Sequence, residues 1–167
     1  MGNDLSRTDD ALLELDREVA VYLSGIHVFR YEKKVYRLID NYVAVPHMRC
    51  AICGEYPLFE VSIIENEDGR ARLHVGDSCI DNLTGRRVSD WFKSFRRKRN
   101  CIMANRKYVD QLSLILDAYD EKKLHFELTR GDIEKLRGIL GQICNGYDPS
   151  TSQMQMADHF LGTEVTA

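Results

Sequence analysis

The sequence lacks several features that would assign it to a functional class directly. It contains no apolar run near the ~18–20 residues that a membrane-spanning helix needs, so we expect no membrane partner. Its first residues, Met1–Leu5, are polar and acidic and do not form a secretory signal. It also contains no internal repeat. These absences leave the large class of ordinary globular proteins.

Known catalytic signatures are missing as well. The phosphate-binding loop, the dinucleotide-binding Gly-x-Gly-x-x-Gly and the nucleophile Gly-x-Ser-x-Gly are all absent. Zinc deaminases place His-x-Glu before a Pro-Cys-x-x-Cys, and no His-x-Glu precedes Cys50 here. A nuclease centre at His74, Asp77 and Asn82 is conceivable, but a zinc-bound His74 leaves it without a general base. We therefore predict that the protein is not an enzyme.

Cysteine is present in an odd number, five, and two of the cysteines form a Cys-x-x-Cys pair. Without a secretory signal, this arrangement favours a metal site over a disulfide framework. We therefore expect a cytoplasmic protein in a reducing compartment.

The net charge of −3 conceals an uneven distribution. The basic segment, residues 86–107, carries +8, because it has nine basic residues and only one acidic residue, Asp90. The rest of the chain carries −11. The basic residues are Arg86, Arg87, Lys93, Arg96, Arg97, Lys98, Arg99, Arg106 and Lys107. Such a separation indicates a contact surface for an anionic partner.

Hydrophobic periodicity predicts an α+β fold. An N-terminal helix is expected over 8–23, and two or three short strands over 26–45 with turns at 32–34 and 40–41. One long amphipathic basic helix is expected over 88–117, and a C-terminal helix that begins at Thr129 or Asp132 and ends at Asn145-Gly146. Leu124–Leu128 is expected to form a short strand. We predict a single domain over residues 1–147 and a flexible tail over 148–167.

The stretch between these elements, residues 47–85, has the spacing of a metal-binding module. Cys50-x-x-Cys53 is followed by Gly54, and then by a predicted hairpin in which Phe59, Val61 and Ile63 alternate with polar residues. On the second strand His74 alternates with Leu73 and Val75, so its side chain points away from the apolar face. Cys79 falls in the first turn of a short helix, where free N–H groups and the helix dipole favour a thiolate.

A knuckle, a hairpin and a ligand at a helix start occur in this order in treble-clef zinc fingers, which residues 47–85 resemble. The second ligand pair is His-x-x-x-x-Cys rather than the more common Cys-x-x-Cys. The resemblance implies one structural zinc ion bound by Cys50, Cys53, His74 and Cys79. His47, Asp77 and Cys101 are alternative fourth ligands. Three thiolates and one imidazole leave no open position for catalysis.

The basic segment suggests a function for this zinc-stabilised protein. Its arginines and lysines can contact phosphates, and Phe92 can stack on unpaired bases if it is exposed. We predict nucleic-acid binding, to RNA or DNA, through Arg86, Arg87, Lys93, Arg96, Arg97, Arg99 and Lys107. The alternative is a zinc-scaffolded adaptor or inhibitor that docks on an acidic protein surface. A third possibility is intramolecular, with the acidic N-terminal helix packed against the basic segment. The oligomeric state is not predicted.

Overall fold

The structure, a computed structural model, describes residues 6–26, 29–124 and 127–164. In these ranges it contains six helices and an antiparallel four-stranded sheet, which confirms the α+β class. The elements in chain order are α1 (Arg7–Gly25), β1 (Phe29–Tyr31), β2 (Lys34–Met48), β3 (Leu58–Asn66), β4 (Arg72–Val75), α2 (Asp77–Thr84), α3 (Val88–Ala104), α4 (Arg106–Asp120), α5 (Arg130–Cys144) and α6 (Thr151–Glu164). None of the helices in the described ranges has the length and apolar character required to cross a bilayer.

The chain forms two compact units, and α1 and α3 each contribute to both. The helical unit comprises residues 1–16 and 96–167, and the sheet unit comprises residues 17–95. The expected tail at 148–167 contains α6, in which Ala157 and Leu161 are buried. Helix α6 therefore packs within the helical unit.

The sheet unit is organised by strands in the order β1-β2-β3-β4. Glu32 and Lys33 form the β1–β2 turn with φ angles of 46° and 63°. The core of the unit collects apolar side chains from the sheet, α2 and the first part of α3. Its fully buried members include Val61, Ile64, Val75, Ile80 and Val88.

Strand β2 is one continuous strand, whereas the sequence predicted a turn at Asp40-Asn41. The register shifts between Leu38 and Asp40, so a bulge replaces the turn. The Asp40 carboxylate accepts the N–H of Asn41 at 2.8 Å, and the Asn41 amide donates to Ser62 Oγ of β3 at 3.0 Å. These polar contacts keep the strand within the sheet.

A larger irregularity separates β2 from β3 near the cysteines. Val43 pairs with Glu60 and Met48 pairs with Leu58, so residues 44–47 all lie opposite Phe59. The sequence placed Phe59 on the apolar face together with Val61 and Ile63. This expectation is wrong for Phe59, which is 59% exposed and lies where the β2–β3 pairing is irregular.

The predicted long helix is divided at Asn105 into α3 and α4. Asn105 has φ −107° and ψ 24°, which lie outside the helical region. Its amide donates to the carbonyl of Cys101 at 3.0 Å and to Asp148 Oδ1 at 3.2 Å. The break therefore depends on a residue 43 positions later in the chain.

Helix α5 has the limits that the sequence predicts. Thr129 and Asp132 form a reciprocal capping box at its start. Gly146 follows its C-terminal end with φ +83°, and a Cβ atom there would lie 3.0–3.2 Å from backbone atoms of Lys98 and Arg97. Only glycine fits this position without strain. For the predicted strand at 124–128, residues 124, 127 and 128 are not in a strand, and residues 125–126 lie outside the described ranges.

We predict that Gly146→Ala lowers the free energy of unfolding by about 2–3 kcal/mol, because it adds a left-handed conformation to a backbone clash. Gly138→Ala is the matched control, since Gly138 lies exposed within α5 with open space around its Cα. It should stabilise the protein by about 0.5–1 kcal/mol. Urea unfolding followed by circular dichroism measures both. Equal effects of the two substitutions would contradict this account of Gly146.

Candidate functional site

Three of the four predicted metal ligands meet in the sheet unit. The sulfur atoms of Cys50, Cys53 and Cys79 all lie within 4.8 Å of one another, and we call these residues the cysteine cluster. Cys50 is buried, Cys79 is half-buried and Cys53 is exposed. The cluster therefore lies at the edge of the core, with one side open to solvent.

Backbone hydrogen bonds position the knuckle that carries Cys50 and Cys53. The N–H of Gly54 donates to the carbonyl of Cys50 at 3.0 Å, and the N–H of Cys50 donates to the carbonyl of Glu55 at 2.9 Å. Gly54 adopts φ +77°, which a side chain would strain. The N–H of Ala51 donates to the carbonyl of His74 at 2.8 Å, so the knuckle is bonded to the end of β4.

Helix α2 brings the third sulfur to the knuckle. Gly76 is its N-cap, and a Cβ atom there would lie 2.9 Å from Leu58 Cδ2, so a larger residue would have to displace the Leu58 side chain. The N–H of Gly76 donates to Cys50 Sγ at 3.5 Å. One residue therefore begins the helix and contacts the sulfur of the knuckle.

The thiols of the cluster differ in acidity. Burial raises the pKa of Cys50, but hydrogen bonds from the N–H groups of Cys53, Gly76 and Ile52 outweigh this effect. The net result is a pKa lowered to about 7. Burial also raises the pKa of Cys79, and thiol hydrogen bonds to Cys53 and Cys50 bring it to about 12. The preference for a thiolate that we expected at Cys79 is therefore found at Cys50. A bound cation has to displace the Cys79 proton, so metal affinity should increase with pH.

The residues present fit a zinc ion. A tetrahedral zinc with Zn–S distances of about 2.3 Å places its sulfurs roughly 3.8 Å apart. The three sulfurs are already within 4.8 Å, so small side-chain rotations suffice to bind the ion. Thiolate is also the ligand that zinc binds in structural sites.

The predicted fourth ligand, His74, does not belong to the group of converging ligand atoms. Its ring meets the edge of Tyr42 with the centroids 6.3 Å apart. The alternatives are also engaged elsewhere: the His47 ring lies 4.3 Å from that of Phe59, and Asp77 Oδ2 pairs with Lys93 at 2.9 Å. Cys101 belongs to the helical unit and contacts Asp148 there. Within the described ranges, the structure brings together three ligands.

Two of the predicted phosphate-binding residues in the sheet unit contact acidic groups of their own chain. Arg87 pairs with Asp90 at 2.9 Å, and Lys93 pairs with Asp77 at 2.9 Å. The Asp77 hydrogen bond raises the pKa of Lys93, so this lysine remains charged. Arg86 is exposed.

The aromatic residues beside these basic groups are packed against other rings. Trp91 stacks on Tyr22 at 3.8 Å between centroids, and Phe92 is only 2% exposed. Stacking of nucleic-acid bases requires an exposed ring face. Phe92 therefore offers no surface for unpaired bases.

In the helical unit, acidic residues of α1 pair with basic residues of the basic segment. Arg99 pairs with Asp16 at 2.8 Å, and Arg106 pairs with Asp9 at 3.3 Å. One ion pair has the charges reversed: Arg7 of α1 pairs with Asp117 of α4. The acidic start of α1 therefore runs along the basic residues, as the intramolecular alternative proposed.

Two further residues of this unit that were predicted to contact phosphates also contact side chains of the chain itself. Arg97 lies over the Tyr147 ring at 4.7 Å, and Lys107 Nζ lies 4.0 Å from the Asp158 carboxylate. Arg96 is only half exposed. Five of the seven side chains that were predicted to bind nucleic acid thus contact groups of the chain itself: Arg87, Lys93, Arg97, Arg99 and Lys107.

The sequence analysis missed four large apolar side chains that are exposed close to the knuckle in the chain. Each is more than half exposed; they are Val43 (54%), Val45 (87%), Tyr56 (58%) and Phe59 (59%), and we call them the apolar surface. They fall within seventeen positions that include the irregular β2–β3 pairing. The alternation of Val43 and Val45 with the inward Ala44 is the one signal in the sequence that could have indicated this surface.

Comparisons with known proteins assign no family to this arrangement: no family model, curated protein or solved structure matches the chain.

We predict that the purified protein contains about one zinc ion per chain. Cys53→Ser and Cys79→Ser should lose most of this zinc and several kcal/mol of stability, since metal binding in so small a module is folding energy. Elemental analysis and thermal unfolding measure both. Cys144→Ser is the control, because Cys144 lies in α5 outside the cluster. Freshly purified protein without zinc would remove the metal assignment.

Proposed function

We propose that this chain is a zinc-scaffolded interaction module that binds another protein through the apolar surface. The zinc ion has a structural role and is bound by Cys50, Cys53 and Cys79. The proposal assigns no catalytic step to any residue.

The exposure of the apolar surface is the observation that carries this proposal. Tyr56 follows the knuckle directly, and Val43, Val45 and Phe59 flank the bulge that leads into it. The Arg49 guanidinium lies 5.3 Å from the Tyr56 ring centroid and donates to the Gly54 carbonyl at 2.7 Å. Large apolar residues held in place by a metal-bound knuckle are typical of an interface core.

His74 remains the predicted fourth ligand in this proposal. Its carbonyl is bonded to the knuckle, so its backbone already lies beside the cysteine cluster. We expect His74→Ala to weaken zinc retention and His47→Ala to leave it intact. Cobalt substitution measures this, because the visible spectrum of the ion changes when a nitrogen ligand is replaced. A spectrum altered by His47→Ala and not by His74→Ala would reverse the assignment.

Nucleic-acid binding is the competing function. It is less favoured because Lys93, Arg99 and Arg106 pair with acidic residues of the chain and Phe92 is buried. Exposed ion pairs of this kind contribute only about 0.2–1 kcal/mol each, so a phosphate could displace them. The two experiments below therefore distinguish protein binding from nucleic-acid binding.

A photo-crosslinking amino acid placed at position 59 tests the proposal in the native host. We expect a discrete protein adduct that resists nuclease and is lost in the Cys79→Ser background. Position 114 is the matched control, because Leu114 is as exposed as Phe59, at 59%, but lies on α4. Adducts of equal yield at both positions would contradict a specific surface.

The nucleic-acid alternative is measured by fluorescence anisotropy with single- and double-stranded RNA and DNA. Each phosphate contact contributes a slope of about 0.7–0.9 in log affinity against log salt. Reversal of Arg96, Arg97 and Arg99 to glutamate should abolish such binding at moderate salt. Reversal of Arg130, Lys135 and Arg137 on α5 is the charge-matched control. Steep, salt-dependent binding that only the first reversal removes would replace the protein-binding proposal.

A further inference from the structure

Strand β2 is paired unequally on its two sides. On one side β3 pairs with it from Tyr36 to Val43 and again at Met48. On the other side β1 pairs only with residues 34–36. Among the described residues, no strand therefore adjoins residues 40–45 on the β1 side of β2, and we call this stretch the open edge. An unpaired strand edge offers main-chain N–H and C=O groups to another strand.

The main-chain groups of Val43 point out of the open edge. In an antiparallel sheet, successive residues of a strand direct their N–H and C=O groups to opposite sides. The N–H of Asn66 donates to the carbonyl of Ala71 at 3.0 Å, which is on the β4 side. Glu60 lies six residues earlier in the regularly paired β3, so its main-chain groups are directed away from β2 as well. Its partner Val43 therefore directs its own groups away from β3, and Val45 follows two residues later in the same strand.

The side chains of the open edge suit a neighbouring strand. Val43 is 54% exposed and Val45 is 87% exposed, whereas Ala44 between them is buried. Alternate residues of a strand lie on one face, so the two valines share the exposed face. β-Branched side chains that lie opposite one another on two strands pack favourably. The open edge thus offers hydrogen-bonding groups and apolar packing at the same two residues.

The charge of the open edge indicates that the neighbouring strand belongs to a second copy of the chain. Residues 41–48 contain no Asp, Glu, Lys or Arg, whereas residues 30–37 contain five such residues. Edge strands commonly carry charged side chains, lysine above all, which prevent identical edges from pairing. Here the only charged side chain is that of Asp40, at the start of the open edge, so two copies can approach with little like-charge repulsion. Pro46 has no N–H group and limits the open edge to the residues before it.

The twofold symmetry of such a pair selects a register. If Val43 lies opposite Val45 of the second copy, Val45 also lies opposite Val43 of that copy. Opposite residues whose main-chain groups point toward each other exchange two hydrogen bonds, so the two symmetry-related pairs form four. The four valine side chains then meet on one face of the joined sheets.

The same register avoids unfavourable contacts at both ends of the open edge. Asp40 would lie opposite Met48 of the second copy, which keeps the two Asp40 carboxylates far apart. Met48 is the last residue of β2, and the pairing of β1 ends at Tyr36. The strand of the second copy therefore ends before it reaches β1.

We propose that two copies of this chain associate by antiparallel pairing of their open edges, with Val43 of each copy opposite Val45 of the other. The association joins the two sheets edge to edge through β2. This inference goes beyond the proposed function, because the second copy occupies Val43 and Val45 and leaves Tyr56 and Phe59 to a different protein.

Sedimentation velocity of the zinc-loaded full chain over a range of concentrations tests this association, and we expect a reversible monomer–dimer equilibrium. Val45→Lys should raise the dissociation constant of the dimer about tenfold or more, because it removes valine packing and brings two like charges together near the twofold axis. Val21→Lys is the matched control, since Val21 is 71% exposed but lies on α1, and it should leave the dissociation constant unchanged. Zinc content and melting temperature verify that both variants are folded.

Two measurements on the chain without substitutions test the strand pairing itself. Amide hydrogen exchange at Val43 and Val45 should slow as the concentration rises, because both N–H groups become bonded in the dimer, while exchange at Tyr56 should not change. A mixture of isotope-labelled and unlabelled copies should show nuclear Overhauser contacts between the methyl groups of Val43 in one copy and Val45 in the other. These contacts determine the register.

Several results would overturn the inference. One is a chain that sediments as a monomer up to millimolar concentration, and another is a dimer that Val45→Lys and Val21→Lys weaken equally. A dimer without slowed exchange at Val43 and Val45 would place the interface elsewhere. Slowed exchange that appears only with a different protein bound would assign the open edge to that protein instead of a second copy. The crosslink at position 59 is measured separately, so failure of this inference is distinguishable from failure of the proposed function.

Discussion

The convergence of three thiols on one point is the constraint on which the arrangement of the sheet unit depends. Cys50 and Cys53 come from a knuckle after β2, and Cys79 comes from the first turn of α2. Backbone N–H groups lower the pKa of Cys50 to about 7, whereas burial and hydrogen bonds with the other two thiols raise the pKa of Cys79 to about 12. A cation bound here would replace the thiol protons and join the knuckle that precedes β3 to α2, which follows β4.

Local signals in the sequence predicted most of this module. The Cys-x-x-Cys-Gly turn, the hairpin over β3 and β4, and the helix that starts at Asp77 are each encoded by residues close together in the chain. The limits of α5 are local as well, because Thr129 caps the helix through Asp132. Where the residues that determine an element lie within about ten positions of one another, propensity and capping rules are sufficient to predict that element.

The features that the sequence did not predict involve residues far apart in the chain. The division between α3 and α4 at Asn105 involves Asp148, and the continuity of β2 through Asp40-Asn41 involves Ser62. The exposed Phe59 lies where four residues of β2 oppose one residue of β3. None of these partners is marked by its sequence neighbours, so alternation alone did not predict that Phe59 is exposed.

The charge distribution shows what a linear count of charges leaves out. A segment of +8 within a chain of −3 suggests an external anion, but counting along the chain does not register acids from elsewhere that fold onto it. Asp9 and Asp16 meet Arg106 and Arg99 from roughly ninety positions away in the sequence. Because such exposed pairs stabilise a fold only weakly, their main consequence is electrostatic: they lower the positive potential that a phosphate would meet. A charge count along the chain therefore has to be weighed against the acidic residues that the fold brings beside the basic ones.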